Sequence, residues 1–261
     1  ATGLYEIGYS NALKLGIIHH EITFDHLPVA FHGKRILFLS DLHLGGIDEI
    51  PELVCQTIQQ VEVDLCIFGG DSKFSWADPI DYSLEAMQKI IKVINAPLGI
   101  YGVLGNHDSY RMVPAFKEMG LHILINDSQA IHHNGESIYL VGVDDPFYYR
   151  CHDIKKAFSQ VPENEFTLFV AHTPQLFQEA SSYDSSIYLC GHTHNGQVQI
   201  PRLGPIITNS RSPRKMTGGV WKYNEMIGYT SSGVGTSGAR VRYFCPPEIT
   251  VLTLQNKNSF S

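Results

Sequence analysis

The chain has 261 residues, 43% of them hydrophobic and 17% charged, long enough to bury a large core and ordinary enough in composition to be globular. Its formal charge of −7 makes the surface a poor match for a nucleic-acid backbone, which disfavours duplex binding. The five cysteines, at 55, 66, 151, 190 and 245, are odd in number, and two sit in apolar runs, so they read as reduced thiols rather than a disulfide framework. One domain over 1–261 is expected. No stretch approaches the roughly 18–20 apolar residues that span a bilayer, and residues 1–20 lack a charged segment followed by a long apolar one. The chain is therefore expected to be soluble as it stands, while its start at Ala1 rather than Met leaves room for an upstream targeting or anchoring piece.

In chain order, residues 35–40 (RILFLS) form a continuous apolar run of strand length that leads at once into Asp41, Leu42 and His43. Residues 49–61 carry apolar side chains at helical spacing, and 64–68 is a short strand ending in Gly69, Gly70 and Asp71. A second helix is predicted over 79–95 and a third strand over 98–104, which stops at Gly105, Asn106, His107 and Asp108. A strand over 137–143 follows, then 166–171 running into His172 and 187–190 running into Gly191, His192, Thr193 and His194. Ligands of open α/β sheets bind outside the carboxyl ends of strands, so these polar clusters are expected to converge on one edge. The last third is rich in Gly, Ser, Thr and Pro; strands over 197–200, 226–231, 241–244 and 249–254 are predicted there as a second sheet. The fold class that follows is α/β, with layers of helix, sheet, sheet and helix.

Taken singly, each polar motif has an ordinary structural explanation as a cap, a turn or a packed histidine. Taken together and in order, Asp-x-His at 41–43, Gly-Asp at 70–71, Gly-Asn-His-Asp at 105–108, His172 and Gly-His-x-His at 191–194 resemble the calcineurin-like metallophosphoesterases. The resemblance covers about 35–195, and the tail 233–254 and the lead-in 3–31 are similar to a bacterial membrane-associated subgroup. It implies a four-layer sandwich of two mixed sheets and a site of two divalent ions, Mn first, with Fe, Zn or Co as alternatives. Asp41, His43 and His194 would hold one ion, Asn106, His172 and His192 the other, and Asp71 would bridge them. Carboxylate, imidazole and amide donors suit such metals, and no thiolate is in the set. If 191–194 is extended, His192 and His194 share a face and Thr193 points away. Two ions outweigh the negative charge of Asp41, Asp71 and a bridging hydroxide, so the centre should attract an anionic phosphoryl group. The resemblance places His107 near the leaving group as proton donor or oxyanion stabiliser, with Asp108 orienting its ring and favouring its charged form.

The implied activity is hydrolysis of a phosphodiester or pyrophosphate bond, with UDP-2,3-diacylglucosamine of lipid A synthesis as the specific substrate. The alternatives are a catalytically silent scaffold, against which every expected ligand is present, and a nuclease. The partner is an anionic phosphoester, lipid-linked in this reading, with peripheral membrane contact. The location is cytoplasmic, the cytoplasmic face of the inner membrane, or an exported envelope site. Residues 201–247 hold seven basic side chains and one acid, a block of +6 that leaves −13 for the remainder. This block reads either as a solvated surface or as a clamp for phosphate or anionic headgroups centred on Arg211, Arg214 and Lys215. The acids and aromatics of 144–149 read as a packed loop, with a wall beside the site as the alternative. Ser72-Lys73-Phe74 and Asn195 depart from the usual family pattern without removing a ligand, and Lys73 and Trp76 could reshape the substrate entrance.

Overall fold

The computed structural model describes residues 2–260. The chain opens with α1 (Thr2–Ala12) and β1 (Gly16–Phe24), followed by β2 (Arg35–Leu39), α2 (Ile50–Ile58), β3 (Leu65–Phe68), α3 (Ile80–Val93), β4 (Ile100–Gly102), α4 (Val113–Glu118) and β5 (Leu121–Ile123). The middle contains β6 (Asp127–His133), β7 (Glu136–Gly142), α5 (Ile154–Ala157), β8 (Thr167–Val170), α6 (Phe177–Ser182) and β9 (Ile187–Cys190). A two-stranded ribbon, β10 (Gln199–Ile200) and β11 (Gly204–Pro205), precedes β12 (Gly219–Tyr223), β13 (Met226–Thr230) and β14 (Glu248–Asn256).

Two six-stranded mixed sheets result, ordered β1-β14-β2-β3-β4-β5 and β12-β13-β9-β8-β7-β6. Period-two alternation divides each apolar run between two cores. On β2, Leu37 and Leu39 pack against α2 and α3 through Val54, Ile58, Met87 and Ile90. Ile36 and Phe38 face the other way, into an apolar layer shared with Leu140, Leu168, Val170, Ile187 and Leu189 of the second sheet. The outer face of that sheet buries Val141, Phe169 and Tyr188 with Ile154, Leu176 and Trp221. A strand covered on both faces must be apolar at every position, which is why β2, β3, β8 and β9 read as unbroken apolar runs. The expected helix, sheet, sheet, helix layering is the observed one.

The division of strands between sheets differs from the sequence expectation. The segment predicted as 249–254 does not join the second sheet; as β14 it inserts into the first, antiparallel to β2 and parallel to β1. The second sheet is instead built around β7, β8 and β9, with β13 parallel to β9 and the β12–β13 pair at its edge. Residues 241–244 form no strand: one parallel bridge joins Val198 to Tyr243, and Phe244 turns the chain with φ 52°. Strand β1 has no counterpart in the sequence reading because His19, His20 and Glu21 interrupt its apolar pattern, as suits an edge strand. The β6–β7 pairing follows from Asn134-Gly135, both at positive φ (46° and 84°), the two-residue turn that matches strand twist.

Strands β2, β3 and β4 run parallel, as do β8 and β9, so their carboxyl ends open on the same side of each sheet. The polar clusters therefore lie along the seam between two sheets, rather than on the edge of one.

Candidate metal centre

The strand-end segments bring the expected side chains together. Near the first sheet, His43 Nε2 lies 3.9 Å from Asp41 Oδ1 and 3.7 Å from Asp71 Oδ2, and His194 Nε2 lies 3.5 Å from Asp41 Oδ1. On the other side, His172 Nε2 is 3.2 Å from Asp71 Oδ2, and His192 Nδ1 is 3.3 Å from His172 Nε2. Asp71 thus stands between two groups, Asp41–His43–His194 and Asp71–His172–His192, in each of which the ligand atoms lie within 4.8 Å of one another. All six of these side chains are buried.

Hydrogen bonds orient the rings. The Nδ1–H of His43 donates to the Lys73 carbonyl at 3.0 Å and that of His172 to the Gly69 carbonyl at 2.8 Å, which turns Nε2 of each toward the Asp71 carboxylate. His192 donates from Nε2 to the Asn209 carbonyl at 3.1 Å, so its free nitrogen is Nδ1. The pair His192 and His194 is not on an extended segment, as the alternation suggested. Both residues take left-handed backbone, φ 67° and 49°, and the turn between them sends one ring to His172 and the other to His43. Thr193 does point away, donating from Oγ1 to the Thr217 carbonyl at 2.6 Å.

Left-handed backbone recurs at Asp41, His43 and Asp71, with φ of 54°, 45° and 56°. Non-glycine residues in this region cost about 1 kcal/mol or more each and cluster where function demands a particular side-chain direction. Adjacent glycines supply the space. A Cβ on Gly105 would stand 2.2 Å from Asp71 Oδ1, and one on Gly191 would stand 2.1 Å from Asp41 Oδ2. The glycines of Gly-Asn-His-Asp and Gly-His-Thr-His are there because carboxylates pack directly on their backbone.

Burial pushes the His43 and His192 rings down to about 4, and burial with His43 and Arg242 nearby drives His194 well below its ordinary value. Burial also opposes the charged form of His172, but the adjacent Asp71 carboxylate outweighs it and lifts that ring to about 10. Asp71 is correspondingly held well below the usual carboxylate range, against its burial, by His172, His43 and His107, whereas burial and Asp71 push Asp41 up. Three neutral imidazoles beside two buried carboxylates are ready donors for a cation. Asn106 Oδ1 is buried without a hydrogen-bond partner among the described residues. A buried amide oxygen left without a donor is costly, and a divalent cation would satisfy it. The donor set fits two divalent ions.

His107 occupies the rim. Its Nδ1–H donates to the Phe74 carbonyl at 2.7 Å and its Nε2 faces Asp71 Oδ2 at 3.9 Å, with 21% of the side chain exposed. Asp108 does not orient this ring. Its carboxylate accepts from the backbone N–H groups of Asp71 and Ser72, both at 2.8 Å, and of Gly105 at 2.9 Å, thereby fixing the loop that carries Asp71. Burial and the Asp71 charge raise its carboxyl to about 6.

In the 144–149 loop Asp144 and Asp145 are buried, and the Asp145 carboxylate accepts from the N–H groups of Phe147, Tyr148 and Tyr149; Phe147 packs on the His192 ring with centroids 4.6 Å apart, while Tyr148 and Tyr149 are exposed. Lys73 is buried, its Nζ donating to the carbonyls of Asp78 and Trp76, so it braces the loop below exposed Trp76 instead of facing substrate. Arg211, Arg214 and Lys215 are exposed; Arg211 lies two residues beyond Asn209, the partner of His192.

Three contributors have no sequence signal of their own. Gly233 and Gly235, beyond the carboxyl end of β13, pack on Asp41 and Leu42, and the Gly235 N–H donates to the Asp41 carbonyl at 2.7 Å. Arg242, counted by sequence within the basic surface block, is fully buried and donates to the carbonyls of Ser232 (2.8 Å), Gly233 (2.9 Å), Gly235 (3.1 Å) and Cys245 (3.3 Å). Its Nη2 lies 3.4 Å from His194 Nδ1.

Carboxylates, imidazoles and an orphaned amide gathered at the strand ends of a four-layer sandwich define a metal-dependent hydrolase of phosphoric esters. The chain belongs to the calcineurin-like phosphoesterase family, whose model matches residues 34–196. It is 29% identical to the uncharacterized metallophosphoesterase YkuE of Bacillus subtilis (strain 168), over 96% of this chain and 90% of that protein. It is 27% identical to the phosphodiesterase YaeI of Escherichia coli (strain K12), over 95% and 92% of the two chains. It is also 24% identical to the UDP-2,3-diacylglucosamine pyrophosphatase LpxG of Chlamydia muridarum (strain MoPn / Nigg), over 93% and 89%. Among the described residues no helix is long and apolar enough to cross a membrane.

Proposed function

We propose that the chain hydrolyses a phosphodiester or pyrophosphate bond in an anionic, lipid-linked substrate, UDP-2,3-diacylglucosamine being the specific candidate. Asp41, His43 and His194 hold one divalent ion, Asn106, His172 and His192 a second, and Asp71 is shared. Mn is the first choice, with Fe, Zn or Co acceptable to the same donors. The observation that carries this reading is Asp71 Oδ2, which lies 3.7 Å from His43 Nε2 and 3.2 Å from His172 Nε2, between two sets of neutral or displaceable nitrogen donors. When bound, such ions polarise the phosphoryl oxygens and lower the pKa of water.

The chain's own residues supply the rest. His107, with Nδ1–H committed to Phe74, presents Nε2 as a donor to the departing oxygen. Asp108 keeps Asp71 in place through three strong backbone hydrogen bonds. Arg211, Arg214 and Lys215 meet the distal phosphate or headgroup, and Phe147 packs on the His192 ring. The lipid-linked part is supported by the named substrate of the LpxG relatives and by the basic block, and a diester by the name of the YaeI relative.

The test is elemental analysis of protein purified without added metal, then turnover of paired monoester and diester chromogenic substrates and of labelled UDP-2,3-diacylglucosamine with Mn. UMP release with diester preference is expected. Diester cleavage without UMP release would move the proposal to another diester, and the absence of metal-dependent cleavage of all three would end it.

A further inference from the structure

The β10–β11 ribbon pairs with neither large sheet. It lies between Gln197 and the basic segment, and its incoming strand, its tip and the two residues after β11 leave large aliphatic side chains in solvent: Ile200 is 44% exposed, Leu203 74%, Ile206 56% and Ile207 73%. Isolated exposed aliphatics are ordinary, but four within eight residues form a patch that needs a partner. Ile206 and Ile207 also line a cavity of about 300 Å³ with His192, His194 and Asn209, so the patch adjoins the candidate metal centre.

Charge decides what the patch meets. Arg202 is at the tip, Arg211, Arg214 and Lys215 follow, and no acid occurs from 197 to 224, in a protein of net charge −7. A second copy of the chain across a two-fold axis would set this basic block against itself. A nucleic acid would match the charge and leave the aliphatics in water. An anionic bilayer surface satisfies both, with branched aliphatics at headgroup depth and arginines beside the lipid phosphates. The ribbon is also adjacent to a second apolar region: Gln199 N–H donates to the Tyr243 carbonyl at 2.9 Å, the next residue, Phe244, is 69% exposed, and Tyr243 Oη donates to Leu4 of α1, itself 70% exposed.

We propose that the 199–207 ribbon, with its basic flank, docks the protein on an anionic lipid bilayer and thereby brings the mouth of the metal centre to the membrane surface. This deepens the reading of a lipid-linked substrate by naming the surface from which it is taken, but docking is measurable without hydrolysis.

The experiment is co-sedimentation of the metal-loaded full chain with phosphatidylcholine vesicles, with and without phosphatidylglycerol, alongside turnover of a soluble chromogenic diester. Binding is expected to the anionic vesicles alone and to weaken with salt. Leu203→Asp and Arg202→Glu should each reduce it about tenfold or more, while soluble diester turnover and the far-ultraviolet circular dichroism remain those of the parent. Equal binding to neutral vesicles, no binding to either kind, or undiminished binding of both variants would overturn the proposal. So would a dimer in sedimentation velocity that Leu203→Asp dissociates, since a second copy would then cover the patch. Vesicle binding without cleavage of any phosphoester would leave docking standing and remove the hydrolytic reading, and the reverse result would separate them the other way.

Discussion

Replacing Arg242 by Met removes a fully buried guanidinium from beneath the candidate metal centre. Three carbonyls, of Ser232, Gly235 and Cys245, lose their donor, while that of Gly233 keeps the Glu248 N–H at 3.1 Å, and no carboxylate lies within 4.0 Å among the described residues to be left behind as a bare charge. A hydrogen bond to a charged group contributes about 1.5–3 kcal/mol, but removing the cation also relieves the desolvation that lowers its own pKa. The balance for three orphaned carbonyls, partly rehydrated, is a loss of roughly 3–5 kcal/mol. The loss should be directional. Residues 232–235 hold the Asp41 strand end, with Val234 N–H donating to Ser40 and Gly235 N–H to Asp41, so the Asp41–His43–His194 group should weaken before the other. Urea unfolding of metal-free protein measures the first effect, and calorimetric Mn titration measures the second as one site lost or weakened. Arg242→Lys should recover only part of the loss, because three donors on a point-charge ammonium cannot span carbonyls spread around a planar fork. A Met variant within about 1 kcal/mol of the parent, with both metal sites intact, would refute the bracing role.

The proton on His172 gives a second prediction. Its folded pKa is raised to about 10, so in metal-free protein the His172–Asp71 attraction is fully present below the unfolded value near 6.5 and is lost as pH rises through 10. An ion taking Nε2 must displace that proton, so Mn affinity at this group should rise about tenfold per pH unit between roughly pH 7 and 9, with close to one proton released in calorimetry across buffers. A pH-independent affinity would show that His172 is already neutral. Asp71→Ala should abolish binding of both ions together, read by elemental analysis; two tightly held metals would defeat the shared-ligand role. His107→Ala should keep the metals while turnover of the soluble diester drops by about 10² to 10⁴, and unchanged turnover would exclude proton donation.

The sequence by itself determined what strand periodicity and chain order can encode. Apolar runs ending in Asp41, Asp71, Asn106, His172 and His192 announced buried strands with polar carboxyl ends, because a strand covered on both faces must be apolar until it leaves the sandwich. The order of the motifs carried the family, and helix spacing marked α2 and α3, whose inward faces bury Val54, Ile58, Met87 and Ile90. Tertiary structure alone decided partners and burial. Residues 249–254 could pair with either sheet by their pattern, and insertion between β1 and β2 is set by packing against residues some 200 positions away. Arg242 and Arg211 are the same letter in one basic block, yet one lies at 0% exposure under the site and the other in solvent, because only the folded loop at 232–235 aims its carbonyls at a single point. Asp108 follows His107 by one residue but braces the Asp71 backbone instead of the neighbouring ring. Side-chain direction in a tight turn depends on φ and ψ that no residue spacing specifies, and at Asp41, His43, Asp71, His192 and His194 the surrounding structure imposes the left-handed values that turn the ligands inward.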